Sequence, residues 1–138
     1  MKNVAVNIGL IILAACAVIY DSASAQSPPG APAPASLSFG VVVGRWARTE
    51  GPYTININSV DVNGKLDANY ANPKPLPFHT AEVVRDGSGL KLLFELRAGG
   101  YGGSTYTLNY DAVSDSLRGI YDQVVVKQKF DVVFNRTK

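Results

Sequence analysis

The sequence predicts an all-β domain, an antiparallel eight-stranded up-and-down meander closed into a barrel. Three observations predict it. Apolar and polar residues alternate with period two in segment after segment, giving each strand a buried and a wetter face. Turn chemistry separates these segments at short intervals. No stretch beyond the first 36 residues sustains a helical period. Short connections make sequential antiparallel neighbours. Eight such strands can close, which removes the edges that invite aggregation.

The elements follow in order. At 138 residues the chain allows one domain. Residues 1–25 read as a secretory signal. Lys2 is basic, Val4 to Tyr20 is an apolar run broken only by Asn7, and Ala23-Ser24-Ala25 is a small-x-small cleavage site before Gln26. The run is at the short limit for a membrane span. Residues 26–36 form a linker around Ser27-Pro-Pro-Gly-Ala-Pro-Ala-Pro-Ala35, whose prolines favour an extended, solvated chain. The barrel domain takes residues 37–138.

Its strands are expected at 39–48, 53–60, 65–72, 78–85, 89–97, 104–111, 115–123 and 125–136. Glu50-Gly-Pro52 separates the first pair. Asn63-Gly64, a strong hairpin signal, separates the next. Asn72-Pro-Lys-Pro-Leu-Pro77 follows, with three prolines that a central strand excludes. Asp86-Gly-Ser-Gly89, the loop Ala98-Gly-Gly-Tyr-Gly-Gly103 and Asp111 to Asp115 supply later turns. The inward rows are Tyr53, Ile55 and Ile57; Leu66, Ala68 and Tyr70; Leu90, Leu92, Phe94 and Leu96; Tyr106, Leu108 and Tyr110; Leu117, Gly119 and Tyr121; and Phe130, Val132 and Phe134. A weak repeat aligns Gly64-Lys-Leu-Asp-Ala-Asn-Tyr70 with Asp115-Ser-Leu-Arg-Gly-Ile-Tyr121, at an offset of 51 residues (115 minus 64). It predicts equivalent positions in two four-stranded halves.

Gly44-Arg-Trp46 on the first strand, with Arg136 on the last, resembles the signature of the calycin barrels, the lipocalins and avidins. That resemblance implies an indole packed at the closed end with a guanidinium across it, a favourable cation–π contact. It assigns Gly44, Trp46 and Arg136 to barrel closure. Gly51 and Gly64-Lys-Leu-Asp-Ala-Asn-Tyr70 look like the avidin pattern. Avidins bring several tryptophans to biotin, whereas this chain has only Trp46, so no biotin-site residue is carried over. The run from Phe94-Glu-Leu-Arg97 through Asp115-Ser-Leu-Arg-Gly-Ile-Tyr121 resembles small exported bacterial proteins of unassigned function.

Two processing routes fit the leader. One is cleavage after Ala25. The other starts from Leu13-Ala14-Ala15-Cys16, which resembles a lipobox and would lipidate Cys16. The expected location is periplasmic or secreted, or a membrane-anchored lipoprotein by the second route. Cys16 is the only cysteine, so cleavage after Ala25 leaves a domain with no disulfide framework. The formal net charge is +2 and the charges alternate in sign without a cluster. A nucleic-acid footprint needs basic residues grouped on one face, so that partner class is set aside.

The tyrosines Tyr53, Tyr70, Tyr106, Tyr110 and Tyr121 either fill the barrel or line a small pocket at its mouth. An eight-stranded barrel is at the size where both are possible. The loop carrying Tyr101 either joins two strands or recognises a partner. It is not a phosphate cradle, because no helix and no P-loop lysine follow. His79 is the only histidine and has no neighbours at metal-ligand spacing, and a Ser-His-Asp triad would have to be built around it. Glu82 and Glu95 could approach as paired carboxylates on neighbouring strands. The expectation is a non-enzymatic exported binding protein without a cofactor or metal. It would engage a small apolar ligand at the barrel mouth, through Tyr70, Arg97, Tyr101 and Tyr106. The alternative is an envelope structural or inhibitory protein that meets a protein or glycan through its surface loops.

Overall fold

The computed structural model describes residues 35–97, 100 and 102–138. The leader with Cys16, most of the linker, and Tyr101 lie outside them. Eight strands close in sequence order into an antiparallel barrel. They are β1 (Gly44–Arg48), β2 (Thr54–Val60), β3 (Leu66–Asn72), β4 (Lys74–Asp86), β5 (Gly89–Leu96), β6 (Thr105–Asp111), β7 (Ser116–Gln123) and β8 (Gln128–Thr137). The first and last strands pair antiparallel, with Trp46 opposite Arg136.

Alternation places the core. The β5 row Leu90, Leu92, Phe94 and Leu96 is buried, as are Ile55, Ile57, Leu66, Leu108, Leu117, Val132 and Phe134. Gly119 sits inside the wall where β6 comes closest. A Cβ there would collide with the Thr107 carbonyl oxygen, so no larger residue fits without moving the strand.

Three boundaries differ from expectation. The expected first strand begins with a 3-10 turn, Phe39–Val42, instead of extended chain. Val41, Val42 and Val43 are consecutive and apolar, so they cannot alternate between core and solvent. The chain turns inward, burying Val42 completely. Ser38 caps the turn by accepting from the Gly40 amide at 3.2 Å. The proline-rich stretch is mostly strand, since Asn72 already faces Lys74, and Pro75 and Pro77 pair with Ala71 and Asn69. This is tolerated because β4 meets β5 only from Phe78 onward, so the prolines have one paired flank. The last strand starts at Gln128. Lys127 takes a left-handed φ of 54° at the end of the turn before it, and Val124–Val126 are left exposed.

The repeat has a structural counterpart. Gly64 (φ 87°) and Asp115 (φ 46°) both have left-handed backbone before β3 and β7. Leu66 and Leu117 are both buried, and so are Tyr70 and Tyr121. β3 and β7 lie four strands apart in the eight-stranded order.

Candidate functional site

The two ends of the barrel are built differently. At one end the 3-10 turn acts as a plug. The Trp46 indole is fully buried beneath it and donates to the Val42 carbonyl at 2.9 Å. The Arg136 guanidinium lies over the indole, 4.2 Å from the ring centroid. Its nitrogens donate to the carbonyls of Val43 (2.7 Å) and Val41 (2.6 Å) and to both carboxylate oxygens of Asp115 (2.7 and 3.1 Å). Asp115 also accepts from the Tyr110 hydroxyl at 3.0 Å, and Tyr110 meets Trp46 edge-on at 6.2 Å. The Arg136 hydrogen bond holds the Asp115 carboxyl below its ordinary value. Gly44 leaves the space that the guanidinium occupies. A Cβ there would stand 2.5 Å from an Arg136 nitrogen, on a backbone of φ 144°.

The other end is open. A cavity of about 360 Å³ opens where β1, β3 and β7 end, lined by Arg48, Glu50, Tyr53, Tyr70, Tyr121, Gln123 and Phe130. An aromatic path runs along its wall. Tyr53 stacks on Tyr70 at 6.1 Å, Tyr70 meets Tyr106 at 6.1 Å, Tyr106 stacks on Tyr121 at 4.4 Å, and Tyr121 stacks on Phe130 at 6.2 Å. Tyr106 is buried among these rings. Burial, reinforced by the Tyr106 hydroxyl, pushes the Tyr70 hydroxyl far above its ordinary value of 10.0. Burial raises Tyr106 too, while the Tyr70 hydroxyl and the Arg48 charge act in the opposite direction. Both phenols are therefore neutral hydrogen-bonding groups at physiological pH.

Three polar atoms at this end are buried with donors unfilled among the described residues. Nε of Arg48 and Oγ of Ser104 have no hydrogen-bond partner, and the hydroxyl of Tyr106 meets only that of Tyr70. Each belongs to an inward position. Arg48 lies two residues beyond buried Trp46 on β1, and Ser104 lies two before Tyr106. Arg48 also stands over the Tyr53 ring, 5.2 Å from its centroid.

Tyr70 thus lines the mouth, and Tyr106 comes to it as a buried ring packed behind Tyr70 and Tyr121. Arg97 does not join them, since it lines a separate outer depression with His79, Glu95 and the loop glycines Gly102 and Gly103. Tyr101 is among the residues not described. Tyr110 goes to the plugged end, because two residues of rise beyond Leu108 carry it away from the mouth. Phe130 is not part of the closed core but is 36% exposed at the rim. Glu82 and Glu95 occupy outward positions two register places apart, facing Leu93 and Thr80. Sequence reasoning passed over Arg48 and Ser104. Counting by twos from Trp46 and Tyr106 would have turned both inward.

Compared with known proteins, the chain matches no family model, no curated protein and no solved structure.

Proposed function

We propose that this chain is a non-enzymatic exported binding protein, calycin-like in architecture, whose barrel mouth engages a small apolar ligand. The observation that carries the reading is the tyrosine-lined cavity of about 360 Å³ at the open end of an otherwise packed barrel. That volume lies near the lower end for small-molecule sites, and its mixture of aromatic faces with a few polar groups is the usual composition of one. The plugged end supplies rigidity, so the mouth is largely pre-formed and binding costs little ordering.

The experiment is native mass spectrometry of the protein purified from its own cell envelope, beside a Tyr70→Ala, Tyr121→Ala double variant. The expected result is a co-purifying small molecule on the parent that is missing from the folded variant. A parent protein that is consistently empty overturns the reading. The same spectra report whether the chain begins at Gln26 or at an acylated Cys16, which separates a released protein from an anchored one.

A second reading has its own observation. Val124, Val125 and Val126 are 44%, 60% and 51% exposed in the loop beside the mouth. Three adjacent exposed valines suit an apolar partner surface. This favours an envelope protein that recognises a protein or glycan through its loops. A specific partner captured by the parent and lost on Val125→Asp, with no small molecule in the cavity, would select it.

A further inference from the structure

The unpartnered polar atoms of the described barrel collect at one end. At the plugged end, the Trp46 indole nitrogen and all three Arg136 nitrogens have acceptors. At the mouth, Arg48 Nε and Ser104 Oγ have none among the described residues, and the Tyr106 hydroxyl, which meets only that of Tyr70, still has its own proton to donate. Buried polar groups in folded proteins are nearly always hydrogen-bonded, so donors left unfilled together at one end mark where a hydrogen-bond acceptor fits. The chemistry of the three narrows that acceptor. A guanidinium only donates, and a phenol and a serine hydroxyl each can donate. No carboxylate of the described residues forms an ion pair with Arg48. Glu50 lines the same cavity, yet it is exposed at the rim.

We infer that the mouth takes an anionic ligand, a flat apolar body bearing a carboxylate, whose oxygens accept from Arg48 and Tyr106 while the body lies among Tyr53, Tyr70, Tyr121 and Phe130. This rests on the mouth reading above and adds the charge and the orientation. The acid group enters first, because the donors are buried and the rings line the way out. A charged hydrogen bond to a guanidinium in a partly dry site is stronger than a neutral one, so the site discriminates a carboxylate from its uncharged isostere. Glu50 stands where a ligand must pass and opposes an anion. The two copies of the repeat put Tyr70 and Tyr121 on either side of Tyr106, so a flat body lies against a continuous aromatic surface.

The test is calorimetric titration of the purified protein with a matched pair of probes, 2-naphthoate and 2-naphthamide. Naphthoate is expected to bind at least tenfold more tightly than naphthamide. Arg48→Met is expected to abolish that preference while naphthamide affinity stays within about threefold, and Tyr106→Phe to reduce it partly. Glu50→Gln keeps Arg48 and is expected to tighten naphthoate alone by roughly threefold. Equal binding of the two probes to the parent overturns the charge recognition and leaves the mouth reading standing. Binding of neither probe overturns both. A naphthoate preference that survives in a folded Arg48→Met protein overturns the assignment to Arg48.

Discussion

Two arginines stand at opposite ends of one barrel, and their surroundings differ more than their sequence contexts suggest. Both lie near an aromatic ring, Arg136 at 4.2 Å from Trp46 and Arg48 at 5.2 Å from Tyr53. Arg136 fills its donors with two backbone carbonyls and a carboxylate. Arg48 keeps a buried nitrogen with no partner among the described residues. A half-buried cation whose donors are filled fixes a structure, whereas a buried nitrogen left unfilled adds a desolvation cost that folding alone does not repay. The difference separates an end built for stability from an end built for something else.

The largest effect should appear when each arginine is removed. Arg136→Met strands Asp115 and the carbonyls of Val41 and Val43, and is expected to cost roughly 2–4 kcal/mol in urea unfolding. Arg48→Met should leave stability within about 0.5 kcal/mol of the parent or raise it. Equal losses in the two variants would dissolve the contrast. Next comes Gly44→Ala, expected to cost about 1–3 kcal/mol through its backbone conformation and the displaced guanidinium. In an Arg136→Met background the penalty should shrink, and a double-mutant cycle measures the coupling. A fully additive cycle would show that Gly44 and Arg136 do not share the site. The smallest effect concerns alkaline pH. Tyr70 and Tyr106 have folded-state pKa values raised by burial, so their stabilisation is complete below the ordinary value of 10.0 and falls as pH rises above it. Tyr106→Phe should flatten that decline when unfolding free energy is followed against pH, and an unchanged slope would remove Tyr106 from the account.

Alternation along each strand was enough to read the barrel, because period two fixes which residues enter the core. Leu90 through Leu96 needed nothing else. The plug was not legible, since three consecutive valines give no period and only the waiting indole and guanidinium make a turn favourable there. Pro75 and Pro77 misled for a physical reason. Proline is excluded from strands paired on both sides, and the sequence does not reveal that β5 ends before reaching them. At the mouth, Tyr70 and Tyr106 were readable as inward aromatics, yet inward position alone did not say which end of the barrel each would reach. Arg97 follows the inward residue Leu96 and so faces out, while Arg48 shares the parity of Trp46 and turns inward.

The clamp formed by Arg136 also sets a timetable. It joins Val41 to a residue 95 positions later. Contacts so distant along the chain are made late and slow the search for the native state. A chain emerging N-terminus first can form its hairpins one after another. The first strand nevertheless stays without its second neighbour until Gln128–Thr137 has appeared. Completion of the fold is thus tied to delivery of the final segment, and a polypeptide halted before that point presents two unpaired rims to whatever holds or degrades unfinished chains.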